Sequence, residues 1–367
     1  MTIGTLCSTR RSAMAVFLAP LFLALLPLSS LAQVDAGAKG DRGTQVLFLG
    51  TAGGPPLHRD RSEPSTLLLV DGRAYLIDCG MGTMQRMLQA GIQSEAVRTI
   101  FFTHLHSDHD LGLADVMAND LFQLNLKGSA DSIDIYGPPQ TKELVDNAFR
   151  YITVSVRPFV AENPAGYRRV NDEVADPFVT HEFARDGVVF QDDKVRVTAA
   201  ENTHYAFMPE ADRAQMKSYA YRVETPHGTI VFTGDTGPSD AVARLAQGAD
   251  MFVAEASVPD EAHLLQFVNA MAARNHWPPQ RTKTFRAHME AEHLNSHTIG
   301  ELAAKAKVKS VMLYHYTPSD QSETAAYISG VKQYFPGPVF APNDLERYCL
   351  QASPGAAGST TIAKCGD

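Results

Sequence analysis

The stretch "TIFFTHLHSDHDLG", residues 99–112, places three histidines and two aspartates within seven residues, directly after a run of apolar β-formers. "RTIFF" predicts a strand buried in a sheet, and the residues just past it fall in the loop before the next helix, "LGLADVMANDLFQL". Polar groups at such a strand end are held rigidly while staying reachable. His104 and His106 alternate across an extended turn, whereas Asp108 and His109 are adjacent and point elsewhere. Donors facing two ways suit two neighbouring metal ions better than one. Imidazole favours zinc, with manganese and iron as alternatives. A helix-capping role accounts for Asp110 but leaves three histidines at a buried strand end unexplained.

Working outward, further donors are expected at distant strand ends with the same grammar, an apolar run followed by His or Asp. Three positions fit: His204 in "RVTAAENTHY", Asp235 in "TIVFTGDTG" and His315 in "SVMLYHYTP". Each alone reads as an ordinary loop residue. Together they complete two sites, His104, His106 and His204 on one ion and Asp108, His109 and His315 on the other, with Asp235 bridging.

The chain around these motifs has 367 residues, 44% hydrophobic and 20% charged, which is enough for a sizeable core. Residues 1–32 read as a signal peptide: Arg10 and Arg11, an apolar run, then the small-residue pattern Ser30, Leu31, Ala32. Either Sec or twin-arginine export is compatible with that leader. The folded part is therefore expected to be periplasmic or secreted, without a stable membrane span after cleavage. Residues 33–43 read as a linker, residues 44–348 as one domain and residues 349–367 as a tail, in which Cys349 and Cys365 either pair or stay free. The formal net charge is −9, and two positive charges leave with the leader. An acidic surface repels polyphosphates, so nucleic acid is an unexpected partner.

Strand-like and helix-like runs alternate in both halves of the chain, which two sheets covered by helices on their outer faces accommodate. Residues 151–186 are the exception, with no clean period and many loop-formers after a helix that fades near Val154. Long irregular segments are often binding loops, so this one reads as a lid or insertion near a site.

The spacing His104, His106, Asp108, His109 resembles the HxHxDH motif of the metallo-β-lactamase superfamily. "FLGTAGGPP", "LIDCGMGTMQRML", "IYGP", "FTGDTG" and "AEASV" resemble its ribonuclease Z and arylsulfatase-like branch in order and spacing. The resemblance implies a four-layer αββα sandwich of two mixed sheets and a dinuclear metal site. It also implies a histidine before a helix and the last ligand strand. His293 matches, with Glu290 as a candidate partner and His297 as the competing assignment. Asp78 of "LIDCG" matches a position that orients a ligand histidine.

Two divalent ions outweigh the charge of Asp108, Asp235 and a bridging hydroxide, so the site selects an anionic or strongly polarised group. Metal-bound water supplies a nucleophile at neutral pH, and His293 is the candidate proton donor to the leaving group. Where ribonuclease Z relatives carry a Gly/Pro-rich basic arm, this chain has residues 151–186 without that composition, and it reads "YHYTPSD" after the last ligand. These departures turn the expectation toward an exported hydrolase of a small sulfate ester or phosphodiester. A lactonase or other carboxylic ester hydrolase and a ribonuclease Z-like phosphodiesterase are alternatives. An iron-dependent oxygenase of the same superfamily is the non-hydrolytic one. Tyr205 and Phe207 are candidate pocket walls, and Arg281 and Arg286 candidate anion contacts. The oligomeric state is open, a homodimer included.

Overall fold

The computed structural model describes Met1 and residues 43–127, 131–163, 177–317, 324–352 and 360–365. The leader therefore lies outside the described residues, as do linker residues 33–42 and residues 164–176 of the expected insertion. One sheet comprises β1 (Thr44–Gly50), β2 (Ser65–Val70), β3 (Arg73–Ile77), β4 (Val97–Phe101), β5 (Ile133–Gly137) and β6 (Phe178–Glu182), joined by β14 (Arg347–Ala352) and β15 (Thr360–Lys364). The other comprises β7 (Gly187–Gln191), β8 (Arg196–Glu201), β9 (Tyr219–Thr225), β10 (Gly228–Phe232), β11 (Met251–Glu255), β12 (Val311–Tyr314) and β13 (Val339–Phe340). Their orders are β15-β14-β1-β2-β3-β4-β5-β6 and β13-β12-β11-β10-β9-β8-β7. Both sheets are mixed: β1 to β3 and β7 to β10 pair antiparallel, while β3 to β6 and β10 to β13 pair parallel.

Alternation along the strands builds the layers. Val46 and Phe48 of β1 point into the core between the sheets, against Ile230, Phe232 and Met312. Leu47 and Leu49 point the other way, toward helices α1 (Thr83–Gln89), α2 (Leu113–Lys127) and α3 (Thr141–Glu162). In the second sheet Val231, Val311 and Leu313 face outward onto α4 (Asp240–Leu245), α7 (Ser296–Ala306) and α8 (Thr324–Lys332). Strands buried on both faces need continuous apolar runs, which is why "TIVF" and "VMLY" read that way. Each such Val, Leu or Phe contributes about 1.5–3 kcal/mol on full burial. A hairpin of α5 (Glu261–Arg274) and α6 (Pro279–Glu292) packs on a small separate core of Val258, Leu264, Val268 and Met289. No helix among the described residues is long and apolar enough to cross a membrane.

Two sequence boundaries are corrected. The helix expected to fade near Val154 continues to Glu162, because Val145, Ile152 and Val160 recur at helical spacing and are buried. Residues 178–182 form β6, parallel to β5, so both ends of the expected 151–186 lid are regular elements. The expected tail is also part of the fold: β14 pairs with β1 and β15, burying Tyr348 and Leu350 between the sheets. Cys349 and Cys365 are bonded across that last pair, 16 residues apart in sequence. A closed loop of this length restricts the unfolded chain by about 3 kcal/mol. Cys365→Ser should accordingly lower the stability measured by urea unfolding by up to about 3 kcal/mol, and reductant should destabilise the parent protein but not the variant.

Candidate metal centre

Every donor sits just beyond the carboxyl end of a strand. β3 delivers Asp78, β4 delivers His104, His106, Asp108 and His109, β8 delivers His204, β10 delivers Asp235 and β12 delivers His315. β3 pairs parallel with β4 and β10, β11 and β12 pair in parallel, while β8, antiparallel to β9 as β10 is, runs in the same direction as β10. The ends in each sheet therefore share one edge, where α/β sheets bind ligands. Asp78 and His315 have left-handed backbones, with φ of 57° and 59°. Non-glycine residues tolerate that conformation where the surroundings impose it, commonly at working sites.

Among the described residues the structure brings together two main donor groups, His104, His106 and His204, and Asp108, His109, Asp235 and His315, all but His106 buried, and an overlapping third of His204, Asp235 and His293. Within the second, His109 Nε2 lies 3.3 Å from Asp235 Oδ1 and 3.6 Å from Asp108 Oδ2. His315 Nε2 lies 3.1 Å from Asp235 Oδ2 and 3.4 Å from Asp108 Oδ2. In the first, His204 Nε2 is 3.0 Å from His106 Nδ1, and Asp235 Oδ2 is 3.9 Å from His204 and 4.0 Å from His104. Ligands about 2.0–2.1 Å from a tetrahedral zinc stand about 3.3 Å from one another, so the residues fit divalent ions. The Nε2 atoms of His104, His109 and His315 and Oδ1 of Asp235 are buried without a well-aligned hydrogen bond, as atoms reserved for a cation are.

Outer contacts orient the donors. Asp78 Oδ2 accepts from His109 Nδ1 at 2.9 Å, and Asp78 Oδ1 from the Thr103 backbone N–H at 2.8 Å. The Glu292 carbonyl accepts from His204 Nδ1 at 3.1 Å. The Gly54 N–H donates to Asp108 Oδ2 at 2.9 Å. A Cβ on Gly54 would stand 2.2 Å from Asp108 Cβ. Gly54→Ala should therefore displace Asp108 and weaken the second ion by roughly 10–100-fold, the usual effect of losing a ligand's support; zinc competition titrations measure it.

Burial disfavours protonation of every histidine here, and at His104 and His204 it wins, holding both well below the usual imidazole range. At His109 the carboxylates of Asp235, Asp78 and Asp108 outweigh burial and hold it well above that range. His315 is likewise raised against burial, to about 10, by Asp235 and Asp108. Neutral imidazole is the ligating form, so filling the second group at pH 7 expels protons while filling the first does not. Zinc titration in weakly buffered solution should acidify the medium only as the second group fills.

Beside the donors, His293 Nδ1 donates to Glu255 Oε2 at 2.9 Å and lies 4.0 Å from Asp235 Oδ2. Burial lowers the His293 pKa, but Glu255 and Asp235 raise it above the ordinary value. Glu290 is not the partner expected from sequence: it is half-exposed on α6 and pairs with Arg286 at 2.6 Å. Glu255, unnoticed in sequence, ends β11 after the apolar "MFVA", the signal that marks Asp78 and Asp235. His297 packs on Tyr334 instead of joining the site.

A cavity of about 1110 Å³ opens over the donors, floored by His106, Asp108, Asp235 and His293. α5 and α6 line one wall, so that wall comes from the region before His293; none of the described residues of 151–186 lines the cavity. Phe207 and Arg281, two of the candidate substrate contacts, are among the residues lining it. Tyr205 is not; its ring packs 5.3 Å from that of His106 and 5.1 Å from that of His204. Arg286 is consumed by Glu290 and Glu261.

Residues 73–316 match the family model for the beta-lactamase superfamily domain. Ribonuclease Z of Mycolicibacterium gilvum is 29% identical over 279 residues, 76% of this chain and 85% of the relative. Ribonuclease Z of Mycobacterium marinum is 28% identical over 314 residues, 84% and 99% of the two chains. In structure, the metallo-beta-lactamase fold protein YhfI from Bacillus subtilis superposes with a TM-score of 0.59 at 15% identity, covering 83% of this chain and 98% of that one. The short form of human tRNase Z gives 0.55 at 20% identity, with the same coverage. Both structures support the αββα fold of two mixed sheets. With a family model spanning most of the folded region and ribonuclease Z relatives matching over 76–84% of its length, the chain belongs to the beta-lactamase superfamily, on its ribonuclease Z branch, and is a metal-dependent hydrolase.

Proposed function

We propose that the protein is an exported two-metal phosphodiesterase acting on a small anionic diester. One observation carries the reading: the Asp235 carboxylate lies within 4.0 Å of histidine donors from both groups, at the floor of one cavity. His104, His106 and His204 would hold one ion, Asp108, His109 and His315 the other, with Asp235 shared. Zinc fits this nitrogen-rich set best, and manganese or iron are the substitutes. Bound ions supply a hydroxide nucleophile at neutral pH and a positive field for the diester oxygens. The chain's own part is to aim the donors and handle the leaving group. With Nδ1–H given to Glu255, His293 keeps Nε2 for the cavity, from which it protonates the departing alkoxide.

The relatives' names favour phosphorus over sulfur as the centre attacked. They also weaken the expectation against nucleic acid, which rested on net charge and on the composition of residues 151–186. RNA is accordingly the second reading. The test is a turnover screen of zinc-, manganese- and iron-loaded protein on bis(p-nitrophenyl) phosphate, p-nitrophenyl sulfate, an aryl lactone, a β-lactam and a 3′-extended transfer RNA precursor. Diester turnover should exceed sulfate turnover by about a hundredfold or more. Faster cleavage of the sulfate, or one iron per chain with oxygen consumption, would overturn the assignment, and cleavage of the precursor at low concentration would favour RNA.

A further inference from the structure

We infer that the α5–α6 hairpin carries a subsite for a planar aromatic ring on the arm of the substrate that is not cleaved. This deepens the phosphodiesterase reading and rests on it for the group held at the metal end. Four rings that line the cavity, Trp277, Phe285, His288 and His293, form an unbroken series that continues to His204 behind them. Trp277 meets Phe285 edge-on at 5.1 Å between centroids, Phe285 lies 6.2 Å from His288, His288 5.2 Å from His293, and His293 5.0 Å from His204. The series runs from the outer wall to a donor of the first group.

Plain packing does not account for this wall, because Trp277, Phe285 and His288 all keep surface toward the cavity. Leu57, Met271 and Met289 also line the cavity and could serve an alkyl chain, so the rings and the cation are what distinguish this wall. Ring edges and faces with a cation beside them suit a flat π-system, and the Arg281 guanidinium stands 4.7 Å over the Trp277 ring. The wall is also fixed relative to the donors. His288 Nδ1 is bonded to Glu292, whose other carboxylate oxygen accepts from the Phe207 N–H at 2.6 Å and whose carbonyl accepts from His204. One residue thus ties the hairpin to the loop that carries a metal donor.

Spacing sets the substrate's shape. A ring joined directly to the ester oxygen would sit beside His293 and His288, whereas Phe285 and Trp277 come two and three ring contacts from His293 along the series. The ring they take is several bonds from phosphorus, as in a nucleoside or an arylalkyl ester.

Trp277 is the single tryptophan of the chain, so its fluorescence reports this subsite without turnover. Zinc-loaded protein should be titrated with 2-phenylethyl phosphate, uridine 5′-phosphate, butyl phosphate and inorganic phosphate. Saturable changes are expected with a ring-bearing ester at concentrations about tenfold or more below those needed for butyl phosphate. Tighter binding of the uridine ester identifies a nucleobase, and of the phenylethyl ester an aryl group. Equal binding of butyl phosphate, or no response to either ring, overturns the inference. Phe285→Leu should weaken the ring-bearing ester about tenfold with metal content intact; Trp277→Leu, followed by calorimetry, serves if that variant misfolds. Turnover of diesters without ring preference would remove the subsite and leave the phosphodiesterase, while ring-selective binding without any turnover would do the reverse.

Discussion

Asp235→Ala is expected to cut diester turnover more than about a thousandfold and to strip at least one metal from the zinc-loaded protein. Losing a group that merely supports a ligand costs roughly 10–100-fold. Asp235 stands nearer the chemistry, since its two oxygens face His109, His315, His104 and His204 at 3.1 to 4.0 Å. Alanine would leave His104 and His204 with no carboxylate facing their donor atoms and His109 and His315 with Asp108 alone. Metal-free protein provides a second readout with a definite sign. Asp235, with Asp108, holds His315 at about 10 against burial, above the unfolded value of about 6.5. The stability so gained is fully present below about pH 6.5 and is lost as pH rises toward 10. The difference in unfolding free energy between parent and variant should therefore shrink from pH 6 to pH 9. Residual two-metal occupancy with normal turnover would refute the shared-carboxylate arrangement.

The donors were legible in the sequence because strand and ligand are contiguous. A strand buried in a sheet reads as an apolar run, and a His, Asp or Glu at its end or within the next three residues lies at the edge that carries the site. That grammar placed His104, His204, Asp235 and His315, and applied to "MFVAE" it would have placed Glu255. The partner that the resemblance implied for His293 is not the one it meets. Glu290 precedes His293 by three residues, the spacing of neighbours on a helix. But α6 ends at Glu292, and His293 is extended, with φ −133°. Its side chain therefore leaves the helix face and meets β11, 38 residues earlier in the chain. The fate of Arg286 was visible as an i, i+4 pair with Glu290.

Long-range pairing hid the rest. Residues 141–162 are rich in β-branched and aromatic side chains, and only the first sheet beneath them selects the helix by burying Val145, Ile152 and Val160. "RYCLQA" alternates like an ordinary edge strand, and its place beside β1 is a pairing across some 300 residues. The cavity wall depends on the same kind of information. Phe267, Trp277 and Phe285 are scattered in sequence, and only the α5–α6 hairpin stacks them into one surface.

His293→Ala is expected to separate substrates by their leaving groups. An alkoxide needs a proton as its bond to phosphorus breaks, and a positioned general acid contributes about 10²–10⁴-fold. A p-nitrophenolate departs without one. Turnover of an alkyl aryl diester at its alkyl bond should fall by that factor, while release of p-nitrophenolate should fall by about tenfold or less. Glu255→Gln tests the same device from behind. The amide oxygen can still accept from Nδ1, so orientation is largely kept, but the charge that raises His293 against burial is gone. The acid form of His293 is the active one, so activity declines as pH rises through its pKa. Removing Glu255 lowers that pKa and moves the alkaline limb of the pH–rate profile to lower pH. A limb that stays in place in Glu255→Gln, or equal slowing of both leaving groups in His293→Ala, would assign the imidazole to positioning and leave the departing oxygen to another proton source.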